Sequence, residues 1–295
     1  MSGKEIVPVK KFNSACSLVG FFICGYNFFV PVLYIVGTPI GNLGDITFRA
    51  VETLKNADVI ACEDTRHTLQ LLTHFEIRKP LISCRAQNES IAAQKIISLL
   101  EEGKNVAYAS DAGTPGISDP GALLAGAVRA AGFQVVPIPG ASAFAALVSV
   151  AGMGGKTLIF EGFLSPKGGR RRTRLKELLS TGDAVILYES PFRIVKLLND
   201  IADIGKDRRI VVGREMTKLH EEIIEGTAAE IAENFSGRDS IKGEFAIFIS
   251  GTKNFKFLTN LSIIKAEGQD ENDDRQNRRN KSSKQCSEYP PRERD

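Results

Sequence analysis

The stretch ASDAGTPGISDPG, from Ala109 to Gly121, decides the predicted fold. An apolar run, Asn105–Tyr108, precedes it and is typical of a buried strand, and small apolar residues follow it at helical spacing over Ala122–Ala131. Its three Gly and two Pro residues continue neither element, and glycine allows backbone conformations with positive φ. Open α/β sheets bind ligands in such loops at the carboxyl ends of their strands, although an ordinary surface turn has the same composition.

The same order of strand, loop and helix occurs five times in the first half of the chain. The predicted strands are Val32–Val36, Val59–Cys62, Leu81–Ser83, Asn105–Tyr108 and Gln134–Ile138. Short apolar strands that alternate with helices predict a mainly parallel sheet with helices on its faces.

The pattern restarts after Gly152–Gly155, which we interpret as a hinge. Four more strands are predicted in the second half: Thr157–Glu161, Ala184–Tyr188, Arg209–Gly213 and Gly243–Ile249. The sequence therefore predicts two α/β domains, residues 32–151 and 152–252, with mainly parallel mixed sheets.

Neither end of the chain is expected to belong to this core. Residues 1–31 form a predicted N-terminal extension, in which the apolar run Ala15–Val30 is broken by glycines and is shorter than the roughly twenty residues of a membrane span. Membrane attachment is left as the alternative for that run. Residues 265–295 are rich in charged and polar side chains, so they cannot bury enough surface to fold and are predicted to be disordered.

The composition excludes several classes of function. The five cysteines are odd in number and show no paired spacing, so we expect neither a disulfide framework nor a zinc site, and we expect a cytoplasmic protein. The three histidines show no metal-ligand spacing, and we expect no metal. A net charge of +3 is too small to predict a nucleic-acid partner, which must be argued from local patches instead.

Three loops at strand ends are predicted to carry the chemistry: Gly37–Asp45, Ala109–Gly121 and Pro139–Ala143. The glycines of the first loop do not fit the dinucleotide pattern G-x-G-x-x-G, and Pro39 stands where a glycine must allow close approach. The sequence also contains no P-loop. A nicotinamide-dependent enzyme is thus disfavoured, although the acidic pair Glu63–Asp64 keeps that alternative open.

Seven stretches, in register, carry a resemblance to a known family: LYIVGTPIGNLGDITFRA, CEDTR, ASDAGTPGISDPG, PIPGASA, LYESPFR, GREMTKLHEE and GEFAIF. They cover about Val32 to Ser250 and resemble the tetrapyrrole methylase superfamily, more narrowly its small-subunit ribosomal RNA (cytidine-2′-O-)-methyltransferase branch. The resemblance implies two α/β domains with S-adenosylmethionine in the cleft between them, and a homodimer. The loop SDAGTPGISDPG stands where the tetrapyrrole branch has a shorter loop, which favours RNA over a macrocycle as the substrate.

The resemblance also implies which residues contact the cofactor. Ile40 would pack on it from the first loop, and Glu189 would face its adenosine side from the second domain. The remaining contacts would come from the second and third loops: Ala109, Ser110, Asp111, Ile117, Ser142 and Ala143. Free N–H groups in Gly-rich loops suit the carboxylate of this cofactor, and carbonyl oxygens suit its cation. For Asp111 and Ser142, the alternatives are an Asx turn and a helix N-cap.

Two charged pairs are candidates for catalysis. In EDTR, Asp64 would act as the base or orienting group for a ribose hydroxyl and Arg66 would hold a phosphate, whereas the alternative is a structural ion pair between them. Glu215 and Lys218 form the second candidate pair. Alignment of the acceptor oxygen with the methyl group supplies much of the rate, so this chemistry requires no metal.

A cationic patch is predicted to bind RNA phosphates and comprises Lys167, Arg170, Arg171, Arg172 and Arg174. The neighbouring Gly168 and Gly169 suit a mobile loop. A solvated helix start is the alternative, but cations at that place oppose the helix dipole. Phe163 and Phe192 could stack on an unpaired base, yet we expect both to pack in the core.

The residues and the resemblance together predict a cytoplasmic enzyme that methylates a cytidine ribose 2′-hydroxyl in small-subunit (16S) ribosomal RNA, with S-adenosylmethionine as methyl donor. Two alternatives stay open. One is a tetrapyrrole C-methyltransferase with the same cofactor, and the other is an RNA-binding module whose cofactor cleft is vestigial.

Overall fold

The computed structural model describes residues 30–152, 157–206 and 208–252. The predictions for the N-terminal extension, for most of the hinge and for the disordered tail concern residues outside these ranges. No helix in the described part of the chain is long and apolar enough to cross a membrane.

The first half folds as five alternating strands and helices in the described residues. Their bounds are β1 Val32–Val36, α1 Phe48–Asn56, β2 Val59–Cys62, α2 Thr65–His74, β3 Leu81–Ser83, α3 Glu89–Glu101, β4 Val106–Ala109, α4 Ala122–Ala130, β5 Gln134–Ile138 and α5 Ala143–Val150. The five strands form one wholly parallel sheet in the order β3-β2-β4-β1-β5. The carboxyl ends of β4, β1 and β5 therefore lie side by side, and the loops that follow them meet.

Local sequence signals account for several helix ends. The Thr47 side chain accepts a hydrogen bond from the N–H of Ala50 at the start of α1, and the Asp64 side chain accepts one from the N–H of Arg66 at the start of α2. At the other ends, Gly103 follows α3 with φ +84° and Gly132 follows α4 with φ +89°. Buried apolar residues on both faces of the sheet then hold these helices in place.

The second half forms a separate five-stranded sheet among the described residues. Its elements are β6 Leu158–Phe163, α6 Gly168–Ser180, β7 Ala184–Glu189, α7 Ile194–Ile204, β8 Arg209–Arg214, β9 Glu222–Thr227, α8 Ala228–Ser236 and β10 Phe245–Ile249. The strand order is β6-β7-β10-β8-β9. Of the four strand pairings in this sheet, only that of β6 with β7 is parallel, so the sheet is mixed but not mainly parallel, which corrects the prediction in that detail. The reason is that β8 and β9 are joined by a short hairpin and β10 runs between β7 and β8 in the opposite direction.

Strand β9, residues EIIEGT, was not among the predicted strands. It lies at the edge of the second sheet and pairs with β8 alone among the described strands. Most of its residues are exposed or half-buried, so it lacks the continuous apolar run that identifies a central strand. A capping box of Thr227 and Glu230 then begins α8 directly after this strand.

Helix α5 connects the two sheets. It follows β5 in the chain, but its buried Leu147 and the adjacent Ala151 belong to the same apolar cluster as Ile186, Val211 and Phe248 of the second sheet. The predicted domain limits thus remain a prediction, because a helix assigned to the first domain packs against the second. A cleft with walls from both halves lies between the sheets, and Ala143, the first residue of α5, lines it.

Candidate functional site

The three loops predicted to carry chemistry are bound to one another. The N–H of Thr38 donates to the carbonyl of Gly113 at 2.9 Å, and the N–H of Gly113 donates to the carbonyl of Thr38 at 3.2 Å. The hydroxyl of Thr114 donates to the carbonyl of Ala141 in the third loop at 3.1 Å. These bonds turn the carboxyl edge of the first sheet into one connected platform.

Glycines make this platform possible. A Cβ atom on Gly37 would lie 2.7 Å from the backbone N of Gly140, and one on Gly140 would lie 2.7 Å from the Gly37 carbonyl, so the first and third loops touch backbone to backbone. Gly121 has φ +130°, and a Cβ there would lie 2.9 Å from Cε1 of Tyr108. Only glycine fits at such positions.

Two adjoining cavities open above the platform. The first has a volume of about 310 Å³ and lies between the sheets, with walls from both halves of the chain. The second has a volume of about 300 Å³ and lies over the first and second loops and α2. Ile40, Ala112 and Glu244 line both, so the cavities share a wall.

The structure brings most of the predicted cofactor residues together. The first cavity is lined by Ile40, Ile117, Ser142, Ala143 and Glu189. Ser110 and Asp111 line the second cavity instead, and Ala109 is the buried last residue of β4 and lines neither. The individual roles of all these residues remain predictions, and only the first five of them share one cavity.

Asp111 and Ser142 do not take the purely local roles considered as alternatives. Asp111 Oδ1 accepts a hydrogen bond from the N–H of Asp64 at 2.9 Å, a contact between the second loop and the end of β2 rather than an Asx turn. Ser142 occupies the N-cap position of α5, but its side chain makes no capping hydrogen bond. Both side chains are thus placed by tertiary structure.

Glu189 is the most constrained charged residue of the first cavity. Its side chain is fully buried at the end of β7. Oε1 accepts a hydrogen bond of 2.8 Å from the N–H of Ser190 and lies 2.6 Å from Nη2 of Arg193. Oε2 has no hydrogen-bond partner among the described residues. A buried acceptor without a partner at a cavity wall is suited to a ligand that donates a hydrogen bond.

Sequence reasoning did not assign a role to several residues of the first cavity: Asp119, Tyr188, Met216, Phe245 and Ala246. Burial raises the pKa of Asp119, the charges of Asp111 and Glu244 raise it further, and a hydrogen bond from Ser110 opposes them. Burial also raises the pKa of Tyr188, against hydrogen bonds from Phe144 and Ser142. All five residues stand inside stretches quoted above, but nothing in a motif indicates which of its side chains faces inward.

The pair Asp64 and Arg66 takes the arrangement considered as the alternative. Arg66 Nη2 lies 3.2 Å from Asp64 Oδ2, and Asp64 also caps α2. The hydrogen bond from the Arg66 side chain is the main cause that lowers the pKa of Asp64. Neither residue lines either cavity, and the Arg66 side chain is 86% exposed. A catalytic role for Asp64 therefore stays a prediction without a cavity contact.

The second candidate pair lies where the second half of the chain meets the first loop. Lys218 Nζ lies 2.9 Å from Glu215 Oε1 and 3.1 Å from Glu244 Oε2, and Lys218 lines the second cavity. The next contact reaches the first loop, where the N–H of Asn42 donates to the hydroxyl of Thr217 at 3.2 Å. The hairpin between β8 and β9 thus rests on the first loop.

The cationic patch is not a mobile loop. Its arginines belong to helix α6, which begins at Gly168, because Leu175, Leu178 and Leu179 bury the helix against the second sheet. Arg171 is buried with Nη2 2.7 Å from Asp200, so an RNA-binding role for this side chain is wrong in the arrangement observed. Arg172 pairs with Asp200 and Asp203, and Arg174 with Glu161 and Glu177.

Lys167 and Arg170 differ from the other members of the patch. Both are exposed, and neither forms an ion pair with the described part of the chain. They remain the members of the patch with charge to offer a phosphate.

The expectation that Phe163 and Phe192 pack in the core is wrong. Phe163 is 57% exposed and lines the first cavity, and Phe192 is 88% exposed in the turn after β7. A register shift between Phe160 and Gly162 in β6, with Gly162 at φ +72°, changes the direction of the strand before Phe163. The Phe163 ring also contacts the ring of Tyr188, with their centroids 5.7 Å apart.

The described residues contain no group of three or more His, Cys, Asp and Glu side chains that could hold a metal ion.

The sequence of this chain is similar to those of known proteins. The sequence model of the family described as Tetrapyrrole (Corrin/Porphyrin) Methylases matches residues 32–232. A protein of Borrelia garinii subsp. bavariensis named Ribosomal RNA small subunit methyltransferase I is 48% identical over 220 residues, which are 74% of this chain and 98% of that protein. A protein of the same name from Bacillus subtilis is 43% identical over 223 residues, 76% of each chain.

Solved structures share the architecture at much lower identity. A cobalt precorrin-4 methyltransferase of cobalamin biosynthesis has a TM-score of 0.55 and 18% identity, over 74% of this chain and 94% of that chain. Uroporphyrin-III-C-methyltransferase from Thermus thermophilus has a TM-score of 0.53 and 16% identity over the same shares. At these identities the likeness shows the fold alone, and it confirms the predicted α/β class with two sheets.

Proposed function

Since the chain belongs to the tetrapyrrole methylase family, we propose that it transfers a methyl group from S-adenosylmethionine to the 2′-hydroxyl of a cytidine in the RNA of the small ribosomal subunit. The names of its relatives support ribosomal RNA as the substrate. The cytidine ribose is the finer part of the proposal, and it rests on the motifs. We also propose that the chain acts in the cytoplasm and that it forms a homodimer.

The observation that carries this proposal is the first cavity with Glu189 in its wall. The orphaned Oε2 of Glu189 needs a donor, and the ammonium group and the ribose hydroxyls of S-adenosylmethionine are donors. Ile40 and Ile117 offer apolar surface to its carbon skeleton, and Ser142 offers a hydroxyl. When bound, S-adenosylmethionine supplies a methyl group that is electrophilic because its sulfur is cationic.

The chain's own contribution to the reaction is positioning. The interlocked loops hold their backbone groups in place before any ligand arrives, so little ordering is left to be done on binding. Alignment of an acceptor hydroxyl with the methyl group then provides the rate. On the RNA side, we assign phosphate contacts to Lys167 and Arg170, which form no ion pair with the described residues, and withdraw Arg171.

Ribose methylation of small ribosomal subunits tests the function directly. Subunits are isolated from cells that lack the gene, incubated with the purified chain and S-adenosylmethionine, and their RNA is mapped by resistance of the phosphodiester bonds to alkali. We expect one cytidine to become resistant.

Two controls belong to this experiment. Calorimetry must show saturable binding of S-adenosylmethionine, because its absence would indicate a vestigial cleft and an RNA-binding module. Methyl transfer to a porphyrinogen, with none to the subunits, would establish the tetrapyrrole alternative and contradict the proposal.

A further inference from the structure

We propose that the second cavity holds the acceptor nucleoside, unstacked from a single-stranded segment of the RNA, with Asp111 as hydrogen-bond acceptor for its ribose hydroxyl. This inference rests on the proposed function and names the place in the molecule where the substrate lies.

The position of the second cavity is the first argument. It shares the wall formed by Ile40, Ala112 and Glu244 with the first cavity, so a group bound in one lies next to a group bound in the other. Its volume of about 300 Å³ is at the lower end of the range for small-ligand sites. That size suits one nucleoside.

The charges of the lining select the part of the nucleotide that enters. Asp111 and Glu244 place carboxylates in the wall, and the ammonium group of Lys218 is already paired with Glu215 and Glu244. Such a lining offers hydrogen-bond acceptors, which favours hydroxyl and amino groups and disfavours phosphate. The ribose and base therefore enter, and the phosphates stay outside.

A cation for those phosphates stands beside the cavity. The N–H of Asp64 donates to Asp111 Oδ1, and the exposed Arg66 pairs with that same Asp64. Arg85 Nη2 lies 3.9 Å from Asp64 Oδ2 and is also half-exposed. Arg66 and Arg85 share the one carboxylate of Asp64, so a net positive charge is left beside the cavity while the carboxylate of Asp111 lines it. A nucleotide with its phosphate outside and its ribose inside requires this arrangement.

The far wall of the second cavity comes from the other half of the chain. Gly41 of the first loop lies directly under the Lys218 side chain, since a Cβ atom on Gly41 would overlap Lys218 Cγ. The bond between Asn42 and Thr217 fixes the same contact. The second cavity is complete only when the β8–β9 hairpin rests on the first loop, so a substitution at Gly41 disturbs this cavity while the Ser142 and Glu189 side of the first is untouched.

Two substitutions test the assignment. Asp111→Asn keeps an oxygen for the Asp64 N–H but removes the charge, and Gly41→Ala displaces Lys218. For both, we expect kcat/KM for small subunits to fall about 10- to 100-fold, while the Kd for S-adenosylmethionine from calorimetry changes less than about twofold. Gly126→Ala is the matched control, because a Cβ there meets nothing within 4 Å.

Photo-crosslinking locates the RNA without relying on turnover. Gln70 lines the second cavity and Gln94 lies exposed on α3, so p-benzoylphenylalanine is placed at each in turn and the crosslinked nucleotide of the small subunit is mapped. We expect Gln70 to crosslink to the methylated cytidine or its neighbour, and Gln94 not to do so.

The outcomes separate this inference from the proposed function. If the wild-type chain methylates the subunits, but Asp111→Asn weakens cofactor binding instead of kcat/KM and Gln70 gives no crosslink, the second cavity belongs to the cofactor and the inference is overturned. If the wild-type chain methylates no RNA while Gln70 still crosslinks to one nucleotide, the proposed reaction fails and the nucleoside site stands.

Discussion

Arg170 and Arg171 are neighbours in the sequence and have different surroundings. Arg171 lies inside, where Nε and Nη2 both contact Asp200 of α7 at 2.7 Å, whereas Arg170 is exposed on the outer face of α6. The position of Asp200, 29 residues further along the chain, decides between them. A motif of five cations does not indicate where Asp200 lies in the fold. For that reason the sequence predicts the same role for both arginines.

We expect the two residues to separate stability from RNA binding. Arg171→Ala leaves the buried Asp200 with Arg172 as its remaining partner, so the free energy of unfolding should fall by about 2–3 kcal/mol in urea titrations, somewhat less than for a buried charge left alone. Arg170→Ala should change it by less than about 0.5 kcal/mol.

The same pair is then compared for RNA affinity. Arg170→Ala should weaken binding of small-subunit RNA and reduce its dependence on salt, because one phosphate contact is lost. Equal RNA affinity for Arg170→Ala and the wild type would remove Arg170 from the interface.

Whole strands and helices could be predicted well where a single apolar run defines them. Strands β2 and β4 are continuous buried runs, whereas β1, β3 and β5 are short, mostly apolar runs that are partly buried. The parallel order of all five follows from the helices between them. Strand β9 escaped because an edge strand with Glu222 and Glu225 needs no apolar run. The family resemblance predicts that Ser142, Glu189 and Asp111 share one cleft, and Ser142 and Glu189 do line the same cavity. Asp111 lines the adjoining cavity, which no motif indicates, because its orientation depends on the distant N–H of Asp64.

The ion pair between Glu222 of β9 and Arg238, which follows α8, leads to a prediction about the pH dependence of stability. Hydrogen bonds from Arg238 lower the pKa of Glu222, with burial opposing them and Arg214 assisting. A carboxyl whose pKa is lower in the folded state stabilises the fold above its unfolded pKa, and this contribution is lost as the pH falls through the folded pKa. Glu222→Gln should therefore destabilise the protein near neutral pH, and the difference from wild type should shrink as the pH falls below about 4.

Urea unfolding of both proteins at several pH values measures this difference. Glu225→Gln is the control on the same strand, because Glu225 contacts Arg209 only at the exposed surface. A difference between Glu222→Gln and wild type that does not change with pH would show that the ion pair is not its source.

At the scale of the molecule, the first cavity is built from both sheets, so its ligand should stabilise both together. Excess S-adenosylmethionine at about 100 times its Kd adds about 2.7 kcal/mol to the free energy of unfolding, which corresponds to a rise of roughly 5–10 °C in Tm. Scanning calorimetry should show one transition that moves as a whole. Glu189→Gln should show a smaller shift, since the carboxylate that faces the ligand is weakened as an acceptor.

The contrary outcome is equally clear. Two transitions, of which the ligand moves only one, would mean that a single half of the chain binds the cofactor.

Helix α5 makes the two halves inseparable as pieces. A cut after Gly152 would separate the strands of the first sheet from those of the second. It would also remove α5 from Ile186, Val211 and Phe248, so the C-terminal fragment would expose an apolar surface. The N-terminal fragment would end in α5 without the second sheet against which this helix packs. A chimera of two such proteins should therefore take α5 from the same parent as the second sheet, against which it packs, and not from the parent of the first sheet, which it follows in the chain.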